Sequence, residues 1–570
     1  MNKTIYIISL TVVFLFLNGA NTFAQKKDKK YKKYNEEITI TAPYQPSISD
    51  AKKIDIFPKI NHQKRERNIQ DYSITPQKLN ANFALEPLPA VNIKDTRKKE
   101  TLLSNYIKIG AGNYKTPLAE LYSASKQNKN MILGLHIKHL SSSGKINHYA
   151  NSSNSYNIAS IFGKKIFKHT SLMGNVTYQR NMNHYYGFKP SEYPAINYNN
   201  DDIKRISSLI KSKVSYESDN ADNSKLQYNV NADFYHWWDS YKSLENTFTV
   251  NTHVCKPVEW LKFIESEAFA IKGAFEFYNS GDSIEAENSM HLSITPQIKV
   301  ANGSYEIAAG VSLSSIMADT NSTDLKIFPE VYAKIHIIPA YLSLFGGVTG
   351  YEERQTFKEI VEQNPFTVPD IQQAYSTTKF KAFGGFTGNI ARWLDFTAQI
   401  DYSQIDKQHF FINDIRKPLY NQFIMIYDDV TLTHLQAEFN ANPNERFALN
   451  INGHYNNYNL DNEQKAWHQP EMTFNLNATY FIKNPVNIKI NTKISMLMNR
   501  YAKVYSSNLI SSQAVKLDNI TDISINAEYY YSQRLSAFIN INNILAKNYD
   551  IFYNYPSYGI NILAGVSYSF

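Results

Sequence analysis

The chain has 570 residues, 59 Lys and Arg against 51 Asp and Glu, 14% aromatic residues including 41 Tyr, and a single cysteine. One cysteine, Cys255, excludes an internal disulfide, and its distance from the start excludes a lipidated N-terminal Cys. Glycine and proline are too sparse for a collagenous or low-complexity chain, and the mild positive charge, gathered mainly in the first hundred residues, argues against nucleic-acid binding. The average hydropathy is that of a soluble protein. A membrane barrel averages the same way, because only alternate residues of its strands face lipid.

In chain order, Lys3 gives a short positive start and Ile5 to Leu17 is an apolar run broken only by Ser9 and Thr11. Thr22-Phe23-Ala24 then offers small residues for cleavage before Gln25. Residues 1–24 therefore read as a secretory signal, too short to span as a mature helix. No other stretch approaches 18 consecutive apolar residues, so a barrel is the one spanning structure left.

Residues 25–103 read as an extended periplasmic leader. It opens on a lysine-rich run, best taken as a solvated tail. Glu37-Ile38-Thr39-Ile40-Thr41-Ala42 follows, a β-prone segment stopped by Pro43. This segment resembles the TonB box of TonB-dependent outer-membrane receptors. The resemblance implies pairing with the inner-membrane energy transducer TonB as an added strand, in which backbone hydrogen bonds supply affinity and alternate side chains supply register. That family normally places a globular plug after the box. Here there is no glycine between Gln25 and Ile109 to make a plug's tight turns, so the expectation is a plug missing or drastically reduced.

From Ser104 to Phe570 the pattern has period two. Leu172, Gly174, Val176 and Tyr178 alternate with Met173, Asn175, Thr177 and Gln179; Met290, Leu292, Ile294 and Ile298 alternate with His291, Ser293, Thr295 and Lys299. Tight turns such as Ala301 to Ser304 and Ile338 to Tyr341 alternate with long polar, aromatic loops: Arg180 to Asp202, Gly350 to Lys379, Gln404 to Tyr427, His454 to His468, Tyr501 to Asp518 and Leu545 to Ser557. Outer-membrane barrels have short periplasmic turns and long external loops. The expected fold is therefore all-β, a transmembrane antiparallel β-barrel over residues 104–570. The segments tally to about 22 strands, the size of plugged transporters, and merged or missed strands would lower this to roughly 16 to 20. In the final stretch Tyr558, Ile560, Ile562, Ala564, Val566, Tyr568 and Phe570 share one greasy face. Tyr568 and Phe570 are expected to close the seam and to be the end offered to the barrel-assembly machinery.

Three further pieces, Ala466-Trp467-His468-Gln469-Pro470-Glu471, Asn542 to Tyr549 and Gly565 to Phe570, resemble the last strands of TonB-dependent receptor barrels. The stretch from Leu103 to Pro117 resembles a barrel-only relative common in Bacteroidetes. The resemblance implies a Gram-negative outer-membrane location, multi-pass in lipid, and speaks poorly to substrate.

No Gly-rich phosphate loop, HExxH or nucleophile elbow is present, so neither enzyme activity, nor a cofactor, nor a metal site is expected. His184, His236, His409, His454 and His468 read as interfacial or solvated. The aromatic clusters His184-Tyr185-Tyr186, His236-Trp237-Trp238, His409-Phe410-Phe411 and Tyr553 with Tyr555 leave two readings open. Trp237 and Trp238 end a strand and suit the membrane-interface belt. The others suit the belt too, or could grip a ligand or surface partner. Gln363 to Asp370, stiffened by Pro365 and Pro369, reads as a solvated external loop that could instead fold into the lumen. Two functions follow. One is a TonB-linked receptor or transporter for a bulky nutrient. The other is a non-transporting scaffold for envelope assembly, secretion or adhesion, its lumen sealed by its own loops or by a partner such as a surface lipoprotein.

Overall fold

The computed structural model describes residues 103–125, 130–218, 226–259, 266–281, 286–318, 323–483, 485–505 and 511–570. The signal segment, Glu37 to Ala42 and the rest of the leader to residue 102 lie outside them.

The chain runs through β1 (Asn105–Gly112), β2 (Thr116–Ala124), β3 (Met131–Ser142), β4 (Asn154–Ile166), β5 (Thr170–His184), β6 (Lys204–Ser218), β7 (Gln227–Asp239), β8 (Leu244–Val258), β9 (Ser266–Gly281), β10 (Ala286–Ala301), β11 (Tyr305–Ala318), β12 (Thr323–Ile338) and β13 (Leu342–Arg354). After a helix, α1 (Phe357–Gln363), come β14 (Tyr375–Ala391), β15 (Leu394–Asn413), β16 (Phe423–Asn444), β17 (Phe447–Leu460), β18 (Met472–Ile482) and β19 (Ile488–Met498). The last part holds β20 (Tyr501–Tyr505), β21 (Ser512–Lys516), β22 (Ile520–Tyr530), β23 (Leu535–Asn542), β24 (Asp550–Phe552), β25 (Tyr555–Pro556) and β26 (Asn561–Ser569). Twenty-two of these strands form one antiparallel sheet in which each pairs with the next, and β26 pairs with β1 to close it. The β20–β21 and β24–β25 ribbons stand outside that sheet.

Closure is built at the seam. Ile109 faces Val566 and Gly110 faces Gly565 across β1 and β26. A Cβ on Gly565 would run into the Ile109 carbonyl and the Phe538 ring, so glycine is what lets the strands meet beneath that buried ring. Phe570 and Asn105 exchange main-chain hydrogen bonds of 2.9 and 3.0 Å, and the Asn105 side-chain amide donates to the Phe570 carbonyl at 3.2 Å. Tyr568 and Phe570 stack at 5.8 Å and stay exposed on the outer face.

Closing the sheet leaves no edge, and side-chain alternation then gives a greasy outside and a polar inside. Ile161, Val176, Ile210, Leu292, Ile294, Leu313, Ile327, Ile400, Leu435 and Val566 are all exposed outward. Their inward neighbours are tied together: Asn450 donates to Glu438 and Asn440, Asn475 to Asn452, and Asn491 to Asn477. With strand direction alternating, the connections at the end holding Phe570 are short in sequence, and the long connections, 143–153, 185–203, 355–374, 414–422, 461–471, 499–519 and 543–560, all lie at the opposite, external end.

Three expectations change here. Strands run on through parts of the expected loops: Phe410 and Phe411 belong to β15, and β16 begins at Phe423. Twenty and 22 residues, against the roughly 9–11 that cross a bilayer, carry this hairpin well past the membrane. Ala466 to Glu471 is not a strand but part of the connection from β17 to β18. β26 starts at Asn561, so Tyr558 and Ile560 precede it.

Candidate functional site

Five of the long external connections do not splay into solvent. Residues from 143–153, 185–203, 355–374, 414–422 and 543–560 converge with the inner wall into a single apolar core. At its centre Val368 and Phe423 are fully buried, with Tyr185, Phe411, Trp237, Ile360, Phe366 and Tyr555 around them. The Phe366 and Tyr555 rings stack at 3.8 Å, and Tyr186 meets Tyr555 edge-on at 4.9 Å. This is the composition and packing of a soluble protein's interior, set across the mouth of the barrel.

The connection between β13 and β14 supplies the middle of this cap. Thr356 caps α1 by accepting from the Glu359 amide at 3.2 Å. After α1 the chain turns back, and Thr367 forms a parallel bridge with Phe423. The Val368 amide donates to the Phe423 carbonyl at 2.8 Å, and the Phe423 amide to the Phe366 carbonyl at 3.0 Å. Burying a loop strands its backbone polar groups unless other parts of the chain satisfy them. Here the Thr367 carbonyl accepts from Tyr185 Oη at 2.9 Å and from Arg205 Nη1 at 2.8 Å.

Charges facing the lumen hold the cap to the wall. Arg205 of β6 pairs with Asp239 of β7 at 2.8 Å, both side chains almost wholly buried. Glu245 of β8, with no exposed surface, accepts from Tyr235 Oη at 2.6 Å, Tyr278 Oη at 2.7 Å, Gln373 Nε2 at 3.3 Å and the Phe357 amide that opens α1. Arg354 donates to Ser289 at 2.7 Å and Glu287 at 2.8 Å, with its guanidinium 3.7 Å from the Tyr278 ring centre. Such groups are tolerated only because each is paired; losing one partner leaves a buried charge alone.

A second, smaller core packs Phe410, Ile412, Val430, Ala466 and Trp467 beside the first. Trp467 Nε1 donates to Glu463 at 2.8 Å, and Glu463 is held by Lys503 at 2.9 Å. The adjoining His468 is buried with φ 61°. Its Nδ1 lies 2.9 Å from the Phe411 carbonyl, and its Nε2 accepts from the Tyr553 amide at 3.3 Å. Accepting at one nitrogen while donating at the other requires the neutral ring, and burial holds this histidine down to about 4. Asp550, beside the Tyr553 turn, is pushed up by burial.

Several expected site residues are thus brought together: Tyr185, Tyr186, Trp237, Phe411 and Tyr555 all lie in the cap core, and Phe410 lies in the smaller one. Three expectations are corrected. The loop Gln363 to Asp370 is folded inward, not solvated. Trp237 is 3% exposed and faces the cap, not the membrane belt; Trp238 shares the outward face of Phe234 and stacks on His236 at 4.9 Å. His184, His409 and His468 are buried hydrogen-bonded groups, not solvated ones. Tyr553 is partly buried, and His454 meets His434 at 3.2 Å inside the wall, with His434 bonded to Asp401 at 2.8 Å. Arg205, Asp239, Glu245, Thr367 and Phe423 were missed. Strict alternation would have marked the first three as charges facing the lumen at strand ends; nothing local marks Thr367.

Chemically the arrangement can close a passage. Among the described residues no three His, Cys, Asp or Glu side chains are disposed to hold a metal ion. No family model and no curated protein matches the chain. Solved structures do. The pyoverdine outer-membrane receptor FpvA from Pseudomonas aeruginosa PAO1 superposes with TM-score 0.60 at 13% identity, over 83% of this chain and 79% of that one. The ferric-catecholate import receptor Fiu from K12 E. coli gives 0.61 at 9% identity over 82% of each chain. The FrpB iron transporter from Neisseria meningitidis gives 0.62 at 9% identity, over 82% and 81%. At these identities the likeness is one of fold: the chain has the 22-strand barrel seen in outer-membrane receptors and transporters.

Proposed function

We propose that this chain is an outer-membrane receptor of the energised-uptake kind, which takes a bulky nutrient at its external face and admits it when the loop cap opens. The observation that carries the reading is the cap itself: external connections folded into one core and anchored to the inner wall by Arg205 and Glu245, over a lumen lined with polar side chains. A closed mouth on a wide polar lumen is a gate. Opening it means breaking buried pairs, which needs work, and Glu37 to Ala42 is the segment suited to receive that work from TonB. The fold neighbours include one named an import receptor and one named an iron transporter, which supports the same reading. Deleting residues 37–42 is expected to abolish uptake while the barrel still assembles; normal uptake by that strain removes the energised mechanism.

The same cap favours a second reading, a self-sealed scaffold in which the barrel never conducts and instead holds an envelope or surface partner. Purification from detergent separates the two. A stoichiometric bound protein, with uptake unaffected by the 37–42 deletion, supports the scaffold.

A further inference from the structure

Beside the cap, between the inner wall at β4 to β7 and the C-terminal end of α1, lies a cavity of about 260 Å³. Asn154, Gln179, Asn181, Asn183 and Ser207 face it from the wall, with Glu362 on the helix side. Elsewhere on the inner wall asparagines are spent on one another: Asn491 bridges Asn477 and Thr479, Asn450 bridges Glu438 and Asn440, and Asn475 donates to Asn452. At this cavity the habit breaks. The side chains of Asn154, Gln179, Asn183 and Ser207 make no hydrogen bond to any described residue, and the amide oxygen of Asn181 is buried without a partner. A buried polar atom such as the Asn181 oxygen is rarely left so, and the other four side chains, whose polar atoms keep some accessible surface, gather uncommitted around the same void as groups a ligand could pair with.

We propose that this cavity binds one neutral, hydroxyl-rich ring, such as a single sugar residue of a larger nutrient. The proposal rests on the uptake reading for its place in function, though not for its geometry. Carboxamides both donate and accept and carry no charge, which suits a ligand whose hydroxyls do the same. The one carboxylate, Glu362, held by Lys358 at 3.1 Å, disfavours an anionic ligand. The wall side chains named above include neither His nor Cys, so a soft metal has nothing to prefer. The volume falls just below the ~300–1,000 Å³ typical of sites for drug-sized ligands, so it holds one ring and not a whole oligomer.

The test is calorimetric titration of the full chain in detergent micelles with D-glucose, and with D-glucuronate as the charged control. Saturable glucose binding is expected, with glucuronate weaker. Asn181→Ala and Gln179→Ala should each weaken glucose about tenfold, the loss of one neutral hydrogen bond. Retained heat-modifiable mobility on gels checks that the variants are folded. No saturable heat with glucose, equal binding of glucuronate, or unchanged affinity in both folded variants overturns the proposal. The two readings fail separately. Uptake lost on deleting 37–42 without any glucose binding removes the site alone, whereas glucose binding with normal uptake in the deletion strain keeps the site and removes the energised mechanism.

Discussion

The wall and the cap use the same aromatic and aliphatic residues under opposite rules. On the wall a residue's environment follows from its parity: Phe234 and Ile294 face out, Asp233 and Ser293 face in, and the pattern repeats strand after strand. In the cap, environment follows from convergence. Tyr186 donates to the Pro556 carbonyl at 2.9 Å across 370 residues of sequence, and Arg205 reaches Thr367 across 162. The wall resembles a soluble protein turned inside out; the cap resembles a small soluble domain assembled from pieces. The wall's stability comes from a closed hydrogen-bond ladder within a bilayer, whereas the cap's comes from burying apolar surface and pairing a few charges. The cap should therefore be separable from the wall by mutation and by pH.

Arg205→Ala should give the largest separation. It leaves Asp239 buried without its partner and takes a donor from the Thr367 carbonyl. Breaking a buried pair costs about 3–5 kcal/mol, felt locally by the cap. We expect proteases to cut within residues 355–374 and planar-bilayer conductance to rise, with heat-modifiable mobility unchanged. Loss of the folded barrel, or conductance like that of the parent, would show that the two regions are one cooperative unit.

Acidification should act next, through His468. Its folded value of about 4 lies below the ordinary 6.5 because the ring is buried neutral. An opened cap binds the proton first, so cap stability is full above pH 6.5, falls as pH drops towards 4, and levels off below. The span corresponds to about 3 kcal/mol at most. Asp550, pushed up by burial, opposes this at the acid end, since its folded form holds a proton more readily. Proteolysis of the 355–374 connection should therefore accelerate from pH 7 to pH 4 in the parent and less steeply in His468→Gln. Identical slopes in the two would remove His468 from the cap's pH response.

Most of the wall was legible because period two writes itself into every strand, and alternating short and long connections reveal which end is which. Closure by the final strand was legible too: Val566 and Tyr568 face out and Ser567 faces in, as alternation from Phe570 requires. The cap was not. Trp237 and Trp238 are adjacent, and one faces each way; counting from Phe234 assigns them correctly, whereas reading them together as a strand-end pair places both in the belt. Gln363 to Asp370 carries no periodicity, and its burial depends on Tyr185, Arg205 and Phe423, none near it in sequence. The buried histidines were misread for a related reason: a histidine at a strand's external end is solvated only if nothing folds over it.

The smallest expected effect bears most directly on where the boundary between the two regions runs. By sequence, Tyr558 opens the greasy face of the last strand and should be an interfacial anchor. In the structure it precedes β26, stacks on Tyr114 at 4.6 Å, packs against the cap core and donates to the Ser152 carbonyl at 2.7 Å. Tyr558→Phe keeps the ring and its stacking and removes one hydrogen bond, a cost of about 0.5–1.5 kcal/mol. A residue of the cap should register that loss as slightly faster proteolysis of the connections 143–153 and 543–560, with membrane assembly untouched. A residue of the belt should do the reverse, because an interfacial tyrosine matters for how its strand seats in lipid and not for loop packing. If Tyr558→Phe slows assembly and leaves the loops as protected as before, the cap ends short of β26, and the seam-closing strand belongs to the wall from Tyr558 onward.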